Sequence, residues 1–180
     1  MNRDLSAAVL TKVEPLSQDM GQSHPLRILV AEDNKVNQKV AVGLLGKIGY
    51  RADIAVDGLE VLEALKRQPY DVILMDGQMP EMDGEQATLE IRKRWPKAKQ
   101  PRIIAMTANV LKGERERYLA MGMDDYITKP IRIEDLVRVL NQSQPLASPQ
   151  DKTVDGNTSD IVFDPLVSYR RDVKQNDHDL

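Results

Sequence analysis

Three short stretches of this chain are apolar at every position: Ile28-Leu29-Val30-Ala31, Val72-Ile73-Leu74-Met75 and Ile103-Ile104-Ala105-Met106. A strand with one wet face alternates apolar and polar residues, so an unbroken apolar run must be covered on both faces, as in a parallel sheet. Each run stops abruptly at polar residues: Glu32-Asp33, Asp76 and Thr107. Between the runs the apolar period changes to that of a helix. Val36, Val40, Leu44, Leu45 and Ile48 follow the first run, and Gly49 closes that helix. Residues 51–56 read as a second strand, and Asp57 with Glu60 as the capping box of a helix that turns Leu59, Leu62 and Leu65 inward. A helix reaching Arg94 ends at Trp95-Pro96, a second covers residues 112–121 up to Gly122, and a last one covers residues 133–140. Asp125-Tyr126-Ile127-Thr128 is a short fifth strand that ends at Lys129-Pro130. Strand and helix thus alternate five times across residues 26–142. The expected fold is α/β, a doubly wound five-stranded parallel sheet with helices on both faces.

Residues 1–25 show no sustained period and read as a linker or lead-in, and residues 143–180 as a polar, acidic, flexible tail. From Asp151 onward that tail holds seven Asp against four Lys and Arg. The chain has 180 residues, a formal net charge of −3 and no cysteine, which excludes disulfides and thiolate metal sites and fits a cytoplasmic location. No run approaches the roughly 18 to 20 apolar residues of a membrane span, and the N-terminus lacks the features of a secretion signal. The net negative charge argues against nucleic acid as a partner. The basic run from Arg92 to Lys99 reads as a solvated helix end complementing the dipole.

An open parallel sheet builds its site at the carboxyl ends of its strands. This sequence puts Glu32 and Asp33, Asp76, Thr107 and Lys129 there. Crowded carboxylates require a cation. Oxygen donors without Cys or His select a hard divalent ion, Mg²⁺ or Mn²⁺. A carboxylate beside such an ion can attack a phosphoryl group and hold it as an acyl phosphate, while a lysine and a hydroxyl neutralise the phosphoryl oxygens.

Four motifs carry a family resemblance: Val30-Ala31-Glu32-Asp33-Asn34, Leu74-Met75-Asp76-Gly77-Gln78-Met79-Pro80-Glu81-Met82-Asp83-Gly84, Met106-Thr107-Ala108 and Tyr126-Ile127-Thr128-Lys129-Pro130. Together they resemble the receiver domain of response regulators, the flavodoxin-like (βα)₅ fold, and most of all receivers attached to hybrid histidine kinases. The resemblance implies that Asp76 takes a phosphoryl group from a histidine kinase or phosphotransfer protein. It makes Asp33 a direct metal ligand and Glu32 one acting through water, with the backbone carbonyl of Gln78 completing the set. Thr107 and Lys129 would contact phosphate, and the Lys129-Pro130 bond would be cis. Tyr126 would be the switch residue, and Gln78 and Asn109 would tune dephosphorylation. The output would be a shift in the face made by the domain's fourth helix, fifth strand and fifth helix, read by an output protein, with the domain a monomer or a weak phosphorylation-dependent dimer. Gly77 departs from the family, which more often has a larger apolar residue there.

A phosphatase of the haloacid-dehalogenase type wants a second Asp two residues after its nucleophile, where this chain has Gln78. No glycine-rich phosphate loop supports a nucleotide-binding protein. Retention of Asp76 and Lys129 argues against a receiver that signals without phosphate. Asp83-Gly84 reads as turn chemistry, Thr128 as facing sideways, and His24 and His178 as incidental. Residues 162–170 resemble the opening of a helix after a linker, such as often starts a histidine-phosphotransfer module in hybrid kinases, and read as a truncated neighbour, a degraded remnant or only a tail.

Overall fold

The computed structural model describes residues 19–108 and 114–147. A single helical turn, α1 (Met20–Ser23), precedes β1 (Ile28–Ala31), α2 (Lys35–Lys47), β2 (Ala52–Ala55), α3 (Gly58–Arg67), β3 (Val72–Asp76), α4 (Gly84–Arg94), β4 (Arg102–Thr107), α5 (Glu114–Ala120), β5 (Asp125–Thr128) and α6 (Ile133–Asn141). All strand pairs are parallel, in the order β2-β1-β3-β4-β5. The doubly wound sheet therefore has the form that the apolar runs require.

The two-sided burial follows from strand geometry, because successive side chains point to opposite faces. Val30, Val72, Leu74, Ile104 and Met106 pack with Ala41 and Leu45 of α2 and with Leu136, Val139 and Leu140 of α6. Leu29, Ile73, Met75, Ile103 and Ala105 pack on the other side with Val61 and Leu62 of α3, Ile91 of α4 and Tyr118 of α5. The order reverses between β1 and β3, which both run out toward the same edge. A crevice opens at such a reversal, and Glu32 and Asp76 flank it.

Three apolar positions do not face where the spacing suggests. Val36 and Val40 are exposed, at 68% and 44%, whereas Gln38, Ala41 and Leu45 form the inner face of α2. At about 100° per residue, Val36 and Val40 fall nearly opposite Gln38 and Leu45. Leu59 is exposed as well, because it shares a helix face with Glu63 and Lys66 while Val61, Leu62, Ala64 and Leu65 turn inward. Glu60 does reach back, to the backbone N–H of Val56 at 2.9 Å, while Asp57 caps Glu60 N at 2.8 Å. Arg92, within the basic run, is not merely solvated. Its guanidinium donates to the carbonyls of Gly122 and Pro101 and pairs with Asp124, tying α4 to the segments that open β4 and β5.

The lead-in and the tail also differ from expectation at their inner ends. Met20 is buried in the α2–α6 core, and Gly21 N donates to Ile48 O at 3.1 Å. His24 Nε2 donates to the carbonyl of Ser143 at 2.8 Å, and Tyr50 Oη donates to the carbonyl of His24 at 2.7 Å. Since a carbonyl only accepts, Nε2 carries a proton here. Asp71, 3% exposed, accepts from Arg27 through its backbone N and its guanidinium, and from Leu146 N at 2.7 Å. These contacts are long-range, and the local sequence carries no trace of them. Residues 1–18 and 148–180, with the 162–170 segment and His178, lie outside the described residues.

Burial pushes the Asp71 carboxyl up, but the hydrogen bonds from Arg27 and Leu146 outweigh it and hold it below the usual aspartate range. Ionised Asp71 therefore stabilises the fold above its ordinary pKa, and this contribution is lost as pH falls through the depressed value. Asp71→Ala is expected to cost about 2–3 kcal/mol at pH 7, with the gap from wild type closing in acid. Denaturant melts at pH 7 and pH 3 check this.

Candidate functional site

Each polar stop lands at the same edge for a local reason. Asn34 caps α2 by accepting from Val36 N and Asn37 N, which ends β1 and turns the chain at Glu32-Asp33. Asp76 is the last residue of β3 and is paired in register with Met106. Thr107 ends β4, and its carbonyl accepts from Lys129 N at 2.7 Å, which brings the lysine in just past the end of β5. The Lys129-Pro130 peptide is cis. Together with Asn37, Gly77, Gln78, Ala108, Arg117 and Tyr118, these residues line a cleft of about 530 Å³.

Lys129 occupies the centre. Its Nζ donates to Glu32 Oε2 and to Asp76 Oδ2, each at 2.6 Å. Glu32 is 1% exposed and Lys129 19% by side chain, so this is a largely desolvated ion triad. One carboxylate oxygen from each of Glu32, Asp33 and Asp76 lies within 4.8 Å of the others. Asp33 is exposed, and Gln78 N donates to Asp76 Oδ1 at 3.3 Å. An oxygen-only set with one solvent-facing carboxylate suits a hard divalent cation that keeps some of its own water.

The charges are unequal. Burial pushes both acids up. At Glu32 the opposing bonds from Lys129, Asn37 and Asn34 N prevail, so its carboxyl titrates below the ordinary range. At Asp76 burial prevails over Lys129, and the Glu32 charge adds to it, so Asp76 titrates above the ordinary range. Lys129 loses stability of its charge to burial, but its two carboxylates more than restore it and raise its pKa. Asp76 is therefore the more basic of the two acids bound to Lys129.

Gly84 sets how Asp76 is presented. A Cβ at position 84 would lie 2.1 Å from the Asp76 carbonyl oxygen and 2.8 Å from Met75 Cγ, so the first turn of α4 rests directly on the β3 backbone. Asp83 fixes that turn through a full capping box with Gln86. Asp83-Gly84 is thus more than turn chemistry. At Gly77 an added Cβ would meet nothing within 4 Å.

The structure brings Glu32, Asp33, Asp76, Gln78, Thr107 and Lys129 to one cleft. Tyr126 is half-buried against the α3–α4–α5 side of the core, outside that lining. Thr128 lines a separate depression with Arg102, Asp125 and Arg138, in keeping with a sideways orientation. Asn109 lies outside the described residues. Sequence reasoning missed Asn37, Arg117 and Tyr118, which reach the cleft from helices. Only the helical offset of Asn37 from Glu32 hinted at its place.

Comparison with known proteins agrees with this geometry. The model of the response regulator receiver domain matches residues 28–141. The chain belongs to that family. The receiver is 44% identical over 133 residues to histidine protein kinase 1 of Candida albicans, a match covering 69% of this chain and 5% of that protein. It is 37% identical over 129 residues to the aerobic respiration control sensor ArcB of Escherichia coli, covering 72% of this chain and 16% of ArcB. The chain thus spans a small part of these relatives. Among solved structures, the receiver domain of the sensor kinase PA1611 of Pseudomonas aeruginosa, with magnesium coordinated in its active-site cleft, is 44% identical. It covers 65% of this chain and 95% of that one, with a TM-score of 0.58. The Ssk1 receiver of Saccharomyces cerevisiae, crystallised with the phosphotransfer protein Ypd1, is 28% identical, covers 65% and 87%, and has a TM-score of 0.59.

Two outcomes follow for the receiver. Gly84→Ala is expected to cost about 1–3 kcal/mol by overpacking, whereas Gly77→Ala is neutral or slightly stabilising; thermal melts of the pair distinguish the two glycines. Because folding raises the Asp76 pKa, ionising Asp76 opposes folding at pH values above its ordinary ~3.9. Asp76→Asn should therefore melt above wild type at pH 7 in chelator, with the difference vanishing below about pH 4.

Proposed function

We propose that this receiver is the phosphoacceptor of a histidine-to-aspartate phosphorelay, with Asp76 as the accepting residue. The observation that carries this is the desolvated Glu32–Lys129–Asp76 triad at the topological switch of the sheet. An ionised Asp76 oxygen attacks the phosphorus of a phosphohistidine. The new P–O bond makes an acyl phosphate, the P–N bond breaks, and its electron pair stays on the donor imidazole. Lys129, already at Asp76 Oδ2, holds a transferred oxygen as charge develops, and Thr107 offers its hydroxyl from the end of β4. Glu32, Asp33, Asp76 and the backbone carbonyl of Gln78 would hold Mg²⁺ or Mn²⁺. The bound cation would neutralise phosphoryl charge. Gln78 and Asn109 would tune the lifetime of the phosphorylated state, and Tyr126 would couple it to the face formed by α5, β5 and α6.

The donor would be a sensor kinase or a phosphotransfer protein, as the pairing of the yeast receiver with Ypd1 suggests. Val36 and Val40, exposed on α2 beside the Glu32–Asp33 turn, offer it an apolar landing surface. The domain acts as a signalling acceptor, not as a turnover enzyme, and works in the cytoplasm. The relatives favour a second setting for the same chemistry, as one module of a hybrid histidine kinase.

Incubation with Mg²⁺ and radiolabelled acetyl phosphate, or with a phosphorylated phosphotransfer protein, should put alkali-labile label on wild type and none on Asp76→Asn. Lys129→Ala should slow labelling about 100-fold. Wild type that takes no label from either donor would refute the reading.

A further inference from the structure

Glu32 is gripped from α2. Asn37, half-buried in the first turn of that helix, directs its side chain at Glu32 Oε1, with Nδ2 at 3.0 Å. The amide must present its nitrogen, since its oxygen would face a carboxylate. Asn34 N donates to the same oxygen at 3.2 Å. A carboxylate oxygen offers about two lone-pair sites, so Oε1 is fully engaged. Only Oε2 remains turned toward Lys129 and Asp76. The neighbouring Gln38, buried, donates from Nε2 to the main-chain carbonyl of Glu32 at 2.6 Å, and Glu32 N donates to Ala55 O at 3.0 Å. Side chain and main chain are both held, and the two adjacent amides of α2 supply both grips.

Asp33 differs in being exposed on the same turn. Of the two adjacent acids, one is free to adapt to a cation and the other is fixed before any cation arrives. Partners that orient a ligand from behind typically contribute 10–100-fold in metal affinity.

We propose that Asn37 is a positioning residue for the divalent cation: by filling Glu32 Oε1 it aims Oε2 into the cleft. The role presupposes the metal-dependent phosphoacceptor reading above and adds a residue to it. Asn37 acts on the cation only through Glu32, so its effect must disappear when Glu32 is removed.

The test is a magnesium titration of the full chain followed by amide NMR shifts. Wild type, Asn37→Leu, Asn37→Ala, Glu32→Ala and the double variant Asn37→Leu/Glu32→Ala are compared, with folding checked by circular dichroism. Asn37→Leu and Asn37→Ala should each raise the Mg²⁺ Kd about tenfold. Asn37→Leu should change it by no more than about twofold in the Glu32→Ala background. An unchanged Kd in both single variants overturns the proposal. So does a tenfold loss that persists without Glu32, which would mark Asn37 as a structural residue of α2. If wild type binds Mg²⁺ and accepts label on Asp76 while either of these results holds, only the role of Asn37 fails. If wild type binds no Mg²⁺, the phosphoacceptor reading falls with it.

Discussion

Two desolvated carboxylates from strands far apart in sequence can both stay ionised at one edge when a cation stands between them, and in this fold Lys129 is that cation. It lies 97 residues from Glu32 and 53 from Asp76, yet reaches both at 2.6 Å. Desolvation penalises each charge alone, and mutual attraction offsets it only when the geometry is this close. The β4–β5 pairing, the Thr107–Lys129 backbone bond and the cap that turns the chain at Glu32 all serve to deliver these three groups to one point. Asp76 is the more basic carboxylate because burial and the Glu32 charge outweigh Lys129 there, whereas Asn37 and Asn34 N add their bonds to that of Lys129 at Glu32. One acid is thereby left the readier to bind a proton and the other the readier to stay charged.

The sheet was legible because its evidence is local. Ile28–Ala31, Val72–Met75 and Ile103–Met106 are apolar at every position, which leaves no alternative to burial on both faces. The site was legible for a related reason: in a parallel sheet the first polar residue after each run is forced to the carboxyl edge, so the order of stops gives the composition of the cleft. Glu32, Asp33, Asp76 and Thr107 came from that rule, Lys129 from its place at the end of the short fifth strand, and the family resemblance added their expected roles.

What was not legible depends on rotation or on distance. α2 carries apolar residues on two faces, and the sequence does not say that Gln38 rather than Val36 turns inward; the pull of the Glu32 carbonyl on Gln38 settles it. Asn37 looks like an ordinary polar helix residue until its turn is docked against β1. Gly84 reads as half of a turn pair, and its closeness to the Asp76 carbonyl exists only once α4 is seated. His24 meets Ser143, and Asp71 meets Leu146, across stretches whose meeting no local pattern announces.

The bonds to Asp71 have a geometric consequence for traffic. Asp71 immediately precedes β3 and Asp76 closes it, so about 16 Å of strand separates the Leu146 anchor from the Asp76 carboxylate. His24 and Ser143 meet near the start of β1, again at the amino edge. Both described ends of the chain are thus moored behind the sheet. Tension applied at either described end would therefore be taken up at the edge of the sheet opposite the cleft.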